Sequence, residues 1–148
     1  MSGRLLTIGY QGTTLAGFVA ALRAHGVEVL VDARDVPWSR KPGFSKPSLA
    51  PAIEKAGFVY VHLQALGNPA EGRDVARAGR RDEFERVMKT RLDSPDGQDA
   101  LAEAASLATT RGPICLLCLE RDPVCCHRAF VAARLKRRTR LAVRDLFP

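Results

Sequence analysis

Short aliphatic runs alternate with segments whose apolar positions recur every three or four residues, and glycine or proline marks nearly every change. Leu5-Leu6-Thr7-Ile8-Gly9 has the length of a strand. Thr13 or Thr14 then caps a helix with Leu15, Phe18, Val19 and Leu22 among its apolar positions, which stops at Gly26. Residues 27–32 are almost continuously aliphatic, as in a strand covered on both faces. Pro37, Pro42, Gly43 and Pro47 make a loop of the next dozen residues; Ser48 caps a short helix to Lys55, with Pro51 tolerated in its first turn and Gly57 ending it. Residues 58–63 form the third strand. Residues 64–81 are rich in Gly, Ala and Arg without a sustained period, which reads as a long surface loop able to close over a site. Helices near 82–91 and 97–110 flank the turn Asp93-Ser94-Pro95-Asp96, and Gly112-Pro113 breaks the pattern. A strand at 114–119, a helix from 123 to about 138 and a strand at 141–146 complete the chain, with Asp122 as N-cap and Pro123 at the first position of the last helix.

Strands that alternate with helices through short crossovers run parallel, so the expected fold is α/β: a single three-layer domain over residues 1–148 with a mostly parallel sheet of about five strands. Both a Rossmann-like and a flavodoxin-like strand order fit. In either, ligands bind beyond the carboxyl ends of the strands. Those ends carry Gly9, Tyr10 and Gln11, then Asp32 and Arg34, then His62, then Cys118 and Glu120.

The 148 residues, 46% hydrophobic and 26% charged, suffice for one core without disulfide or metal staples. Met1-Ser2-Gly3-Arg4 leads into an apolar stretch too short for a secretory signal, and no apolar run approaches membrane-spanning length. A cytoplasmic protein with no membrane association is expected, its four cysteines being thiols or ligands. A formal charge of +7 favours an anionic partner, small molecule or nucleic acid. The excess gathers at Arg73, Arg77, Arg80 and Arg81 and again at Arg134, Lys136, Arg137, Arg138 and Arg140, where cations also stabilise a helix C-terminus through its dipole. Oligomeric state stays open.

The densest chemistry lies in Cys118-Leu119-Glu120-Arg121-Asp122-Pro123-Val124-Cys125-Cys126-His127-Arg128. Cys126 and His127 fall in the first turns of the expected helix, where free N–H groups and Arg128 favour a thiolate, so Cys126 is a candidate nucleophile. The plain alternative is a small buried hydrophobe. Cys118 alternates with Ile114, Leu116 and Glu120, and either packs against Cys126 across the turn or joins its chemistry. Cys115, Cys118, Cys126 and His127 include a Cys-x-x-Cys pair, but Cys115 and Cys118 have opposite parity on a strand and Cys125-Cys126 are vicinal. No metal ligand and no cofactor is therefore assigned. A Cys-x5-Arg spacing from Cys115 to Arg121 lacks the glycine of a phosphate cradle and reads as core. Arg34 and Arg128 are candidates to grip an anion through paired hydrogen bonds, with Asp32 positioning Arg34 or a substrate hydroxyl; the alternative is an internal ion pair. His62 and Glu120 are candidate proton-transfer groups.

Thr7-Ile8-Gly9, Asp32-Ala33-Arg34 with Pro37 and Ser39, Phe44, Tyr60-Val61-His62 with Leu66-Gly67, and Cys118-Leu119-Glu120 with Pro123 and Cys126-His127-Arg128 occur in this order over nearly the whole chain. In them the chain resembles the domain of unknown function 488 family, small bacterial and archaeal proteins. The resemblance implies a site built on these motifs, with Ser39, Tyr10 and His127 beside the binding residues named above. Family members often carry His and Ser where this chain has Tyr10 and Gln11, so a role of that histidine is lost here or passes to a phenol. Three function classes remain: an enzyme acting on a phosphate-bearing or nucleotide-like ligand, a non-catalytic nucleic-acid-binding module, and a thiol redox or persulfide-handling protein.

Overall fold

A computed structural model describes residues 4–122 and 126–148. Five strands, β1 (Leu5–Gly9), β2 (Val29–Asp32), β3 (Val59–His62), β4 (Ile114–Cys118) and β5 (Val143–Leu146), form one parallel sheet in the order β3-β2-β4-β1-β5. Around it lie α1 (Leu15–Ala24), α2 (Lys46–Lys55), α3 (Ala70–Arg77), α4 (Arg81–Asp93), α5 (Pro95–Thr110) and α6 (Arg128–Thr139). The α/β three-layer architecture is the expected one. The strand order is not: Rossmann-like and flavodoxin-like sheets keep their first two strands adjacent, whereas here β4 separates β1 from β2. Burial explains the placement. Ile-Cys-Leu-Leu-Cys of β4 is buried at every position, as a central strand requires, while β3 and β5 carry Tyr60, His62, Arg144 and Asp145, which tolerate an edge.

Period-2 alternation divides the sheet between two cores. Leu6, Ile8, Leu30, Cys115 and Leu117 face Phe18 and Leu22 of α1 and Leu49 and Ile53 of α2. Leu5, Val29, Val31, Ile114 and Leu116 face Phe84 and Met88 of α4, Leu101 of α5 and Leu135 of α6. Connections β1 to β2 to β3 step toward one edge through α1 and α2; the later ones step back toward β5. With crossovers of one hand, that reversal moves the later helices to the opposite face.

Local chemistry sets the element ends. Thr14 caps α1 by accepting from Gly17 N at 3.0 Å, and Ser94 caps α5 by accepting from Gly97 N at 3.1 Å, with Pro95 at the first helical position. The helix expected from Ser48 starts earlier, with Ser45 as its cap residue. Residues 64–81 are not a loop: a 3₁₀ turn spans Gln64–Leu66 and α3 follows. Of α3 only Gly72 is fully buried, so a two-turn helix of this kind leaves no hydrophobic period to read. The last helix begins at Arg128, and Cys126 and His127 precede it, because this turn is held by side-chain bonds described below. Pro123, expected as its first residue, lies outside the described residues, as does Cys125. Among the described residues no helix is long and apolar enough to cross a membrane.

Gly9 ends β1 opposite Cys118, and a Cβ there would overlap the backbone carbonyl of Glu120. Gly9→Ala should therefore push the β4 exit away and cost about 1–3 kcal/mol, as overpacking does. Thermal unfolding followed by circular dichroism checks this; an unchanged midpoint would mean that the exit moves without penalty.

Candidate functional site

The fold brings chemistry to the carboxyl end of β4. Both neighbours of β4 exit toward the face of α1 and α2, while β4 itself leads to α6 on the other face, so a crevice opens at its end. A cleft of about 350 Å³ lies there, with Tyr10, Arg34, Trp38, Cys118, Glu120 and His127 in its lining. The register makes one rim of it: Gly9 pairs with Cys118, and Asp32 is level with both Leu117 and His62.

Two sulfurs form its centre. Cys118 and Cys126 are joined as a disulfide, with Cα atoms 7.6 Å apart. Arg128, fully buried, donates from Nη1 to Cys118 Sγ at 3.0 Å and to the carbonyl of Glu120, and from Nη2 to the carbonyl of Arg121 at 3.0 Å. Its own backbone N–H, the first of α6, points to Cys126 Sγ at 3.5 Å. Burial lowers the Arg128 pKa, since no carboxylate among the described residues reaches ion-pair distance. His127 Nε2 is 2.6 Å from the carbonyl oxygen of Ala33. Only a protonated nitrogen pairs with a carbonyl, so Nε2 carries the hydrogen and Nδ1 is left bare, 3.6 Å from Cys126 Sγ. Burial pushes the His127 pKa down to about 4, which keeps the ring neutral at pH 7. Glu120 Oε2 lies 3.7 Å from Cys118 Sγ.

The residues expected at the site divide into two groups. Cys118, Cys126, Glu120, His127 and Arg128 meet around the sulfurs. Asp32 and Arg34 form a closed ion pair instead: Arg34 Nε reaches Oδ1 at 2.8 Å, Nη2 reaches Oδ2 at 2.7 Å, and Nη1 donates to the carbonyl of Phe44 at 2.6 Å. Tyr60 donates its hydroxyl to Asp32 as well, and burial together with that contact raises the Tyr60 pKa. Both Asp32 oxygens thus have partners within the protein. His62 Nε2 sits 2.7 Å from the carbonyl of Arg34 at the β3 edge, and His62 does not line the cleft. Tyr10 is nearly buried, its ring stacked on Phe44 at 4.6 Å, with Phe18 edge-on to Phe44 at 5.4 Å; this aromatic cluster ties the loop after β2 to the end of β1. The Ser39 hydroxyl accepts from Lys41 N at 3.1 Å and shapes that loop. Cys115 points into the core under α1 and α2, where burial pushes its thiol pKa up, so the expected opposite orientation of Cys115 and Cys118 holds.

The cleft also holds Asp35, Trp38 and Asn68, which the sequence did not mark, and Arg73, which it marked only as part of a basic run. Asp35 accepts from Arg91 Nη2 at 2.6 Å and from Arg73 Nη1 at 3.3 Å, which fastens α3 and α4 to the cleft wall. Trp38 is 62% exposed at the mouth, with Val36 and Leu119 also exposed, so the rim is apolar. A lone tryptophan in a Pro-rich loop was the legible signal; the pairing of Arg73 with a residue 38 positions away was not.

Asp32→Asn leaves Arg34 buried without its counter-charge. Breaking such a pair costs about 3–5 kcal/mol. Chemical denaturation should show this loss whether or not any ligand is present, and a variant as stable as the parent would remove the ion pair from the account of the fold.

Among curated proteins and among solved structures, none matches the chain. The family model described as "Domain of unknown function DUF488" matches residues 14–135, from the cap of α1 through most of α6. It covers Asp32, Arg34, His62, Cys118, Glu120, Cys126, His127 and Arg128, the residues that build and brace the rim. The chain belongs to the DUF488 family.

Proposed function

We propose that the chain is a cytoplasmic thiol–disulfide protein whose working pair is Cys118 and Cys126. One observation carries this reading: two buried sulfurs on the other side of the sheet from Cys115 are joined at a cleft that Cys118 lines, against a buried guanidinium that no carboxylate among the described residues reaches at ion-pair distance. A buried cation of this kind needs negative charge beside it, and a Cys118 thiolate provides it. Cys118 lines the cleft and Cys126 does not, which favours Cys118 for attack and Cys126 for resolution. The Cys118 thiolate attacks one sulfur of a substrate disulfide, forming a mixed disulfide and releasing one substrate thiolate. Cys126 thiolate then attacks Cys118 sulfur, closing the internal bridge and releasing the second. The protein gives up two electrons and the substrate gains them. Trp38, Val36 and Leu119 offer an apolar rim to the substrate.

Anion capture and nucleic-acid binding draw less support. Arg34 and Arg128 are bonded within the protein, and Arg73 shares Asp35 with Arg91. On the surface Arg77 pairs with Asp74, Arg80 with Glu83 and Arg134 with Asp93.

The reduced protein is treated with glutathione disulfide, quenched by alkylation and read by peptide mass spectrometry. The parent should yield a linked Cys118–Cys126 peptide, and Cys126→Ser should accumulate a glutathione adduct on Cys118. Adducts confined to Cys115 or Cys125, with Cys118 untouched, would sink the proposal.

A further inference from the structure

His127 has a second use that thiol exchange leaves unexplained. Its Nε2–H is fixed on the carbonyl of Ala33 at 2.6 Å, and the bare Nδ1 is aimed at the sulfur pair. A ring held by a backbone carbonyl through one nitrogen, with the other presented to thiols, is the arrangement that orients a histidine for a metal ion. We infer that the reduced pair Cys118 and Cys126, with His127 Nδ1, forms a binding site for a thiophilic tetrahedral cation of the zinc class, with its fourth position toward the cleft beside Glu120.

The sulfur–nitrogen distance already agrees, whereas the sulfurs, bonded to each other here, must part on reduction. With zinc–sulfur bonds of about 2.3 Å and zinc–nitrogen bonds of about 2.05 Å, tetrahedral angles set neighbouring sulfur and nitrogen about 3.6 Å apart, and two sulfurs about 3.8 Å apart. Cys126 Sγ and His127 Nδ1 are 3.6 Å apart, and the donor atoms of all three residues lie within 4.8 Å of one another. Glu120 Oε2, 3.7 Å from Cys118 Sγ, stands beside the fourth position and leaves it open. The Cα separation of 7.6 Å exceeds the roughly 4.4–6.8 Å usual for a disulfide, which leaves room for the sulfurs to part around an ion. Charge favours the same occupant. Two thiolates and one neutral imidazole cancel a divalent cation, so the buried centre is neutral, and the Arg128 N–H groups remain on the sulfurs as an outer layer. This set omits Cys115, which faces the other core, and Cys125, so the parity objection to a four-residue cluster does not apply to it.

The site shares its sulfurs with the exchange reading but requires only that they be reduced, so the two stand or fall separately. Two protein thiolates, a histidine and an open fourth position form a ligand set that supports Lewis-acid chemistry at the cleft, and oxidation of the pair by a substrate disulfide removes two ligands and releases the ion.

The test uses the full chain, reduced and stripped by a chelator, titrated with cobalt(II) without oxygen. One equivalent should saturate a sulfur-to-cobalt charge-transfer band together with the intense d–d bands of tetrahedral cobalt, and X-ray absorption of the zinc form should give two sulfurs and one imidazole nitrogen in the inner shell. His127→Gln keeps an amide N–H for Ala33 but removes the ligand, and should weaken cobalt binding by at least about tenfold at unchanged circular dichroism. Cys115→Ala should leave the spectrum as it was. A spectrum without the charge-transfer band, a band that persists in Cys118→Ser, or an inner shell of oxygen and nitrogen alone would each overturn the inference. The absorption measurement on the parent decides the matter even where a variant fails to fold.

Discussion

A guanidinium without solvent, and without an ion-paired carboxylate among the described residues, organises the end of β4. Arg128 reaches back from the start of α6 to hold the carbonyls of Glu120 and Arg121 and the sulfur of Cys118. Burying a charge is expensive unless its donors find strong acceptors; Nη1 and Nη2 find theirs in the loop leaving β4, which restricts that loop, while Nε has no partner among the described residues. Lysine would not serve, because a point charge on a flexible stem cannot serve two carbonyls and a sulfur from one planar fork. The same bonds explain why the helix starts at Arg128 instead of several residues earlier: the turn containing Cys126 and His127 is shaped by contacts to β4 and β2, and helical hydrogen bonding begins only beyond it.

A second brace makes the rim continuous. His127 crosses from the β4 side to the carbonyl of Ala33, just past β2, and His62 comes from the β3 edge to the carbonyl of Arg34. Between them the Asp32–Arg34 pair closes on Phe44, whose ring carries Tyr10. Three strand ends are thereby locked in one layer of hydrogen bonds, and histidines of apparent catalytic type turn out to hold backbone carbonyls. The groups the brace leaves over are the two sulfurs, Nδ1 of His127 and the carboxylate of Glu120.

Much of this was legible in the residues. Aliphatic runs located every strand, and Thr14, one of two candidates, caps α1 as expected, whereas Ser94 read as part of a turn and caps α5. The crowding of Cys118, Glu120, Cys126, His127 and Arg128 located the site. Strand order was not legible as a pattern, because the adjacency of β4 to both β1 and β2 comes from contacts more than 80 residues apart in sequence. Its trace was the uninterrupted burial demanded by Ile-Cys-Leu-Leu-Cys. Helix α3 was hidden by its polarity. The roles of Arg34 and Asp32 were ambiguous for a different reason: a guanidinium two residues from a carboxylate suits an anion site and an internal pair equally well, and only the reach of Tyr60 from the next strand fills the remaining acceptor.

The charge of the whole chain and the chemistry of the cleft have separate causes. A net +7 raises the concentration of anions near the surface, and this acts over about a Debye length, roughly 8–10 Å at ordinary salt. Inside the cleft, however, Arg34 is cancelled by Asp32, Arg73 shares Asp35 with Arg91, and Glu120 adds an acid beside the sulfurs. A phosphate entering there would meet cations already bonded and a carboxylate opposing it. What the cleft offers that the surface does not is a pair of polarizable sulfurs, held against a donor that favours their charged form and next to an imidazole with a free lone pair. Basicity acts on what approaches the surface, and under the proposed reading the chemistry falls to the sulfurs.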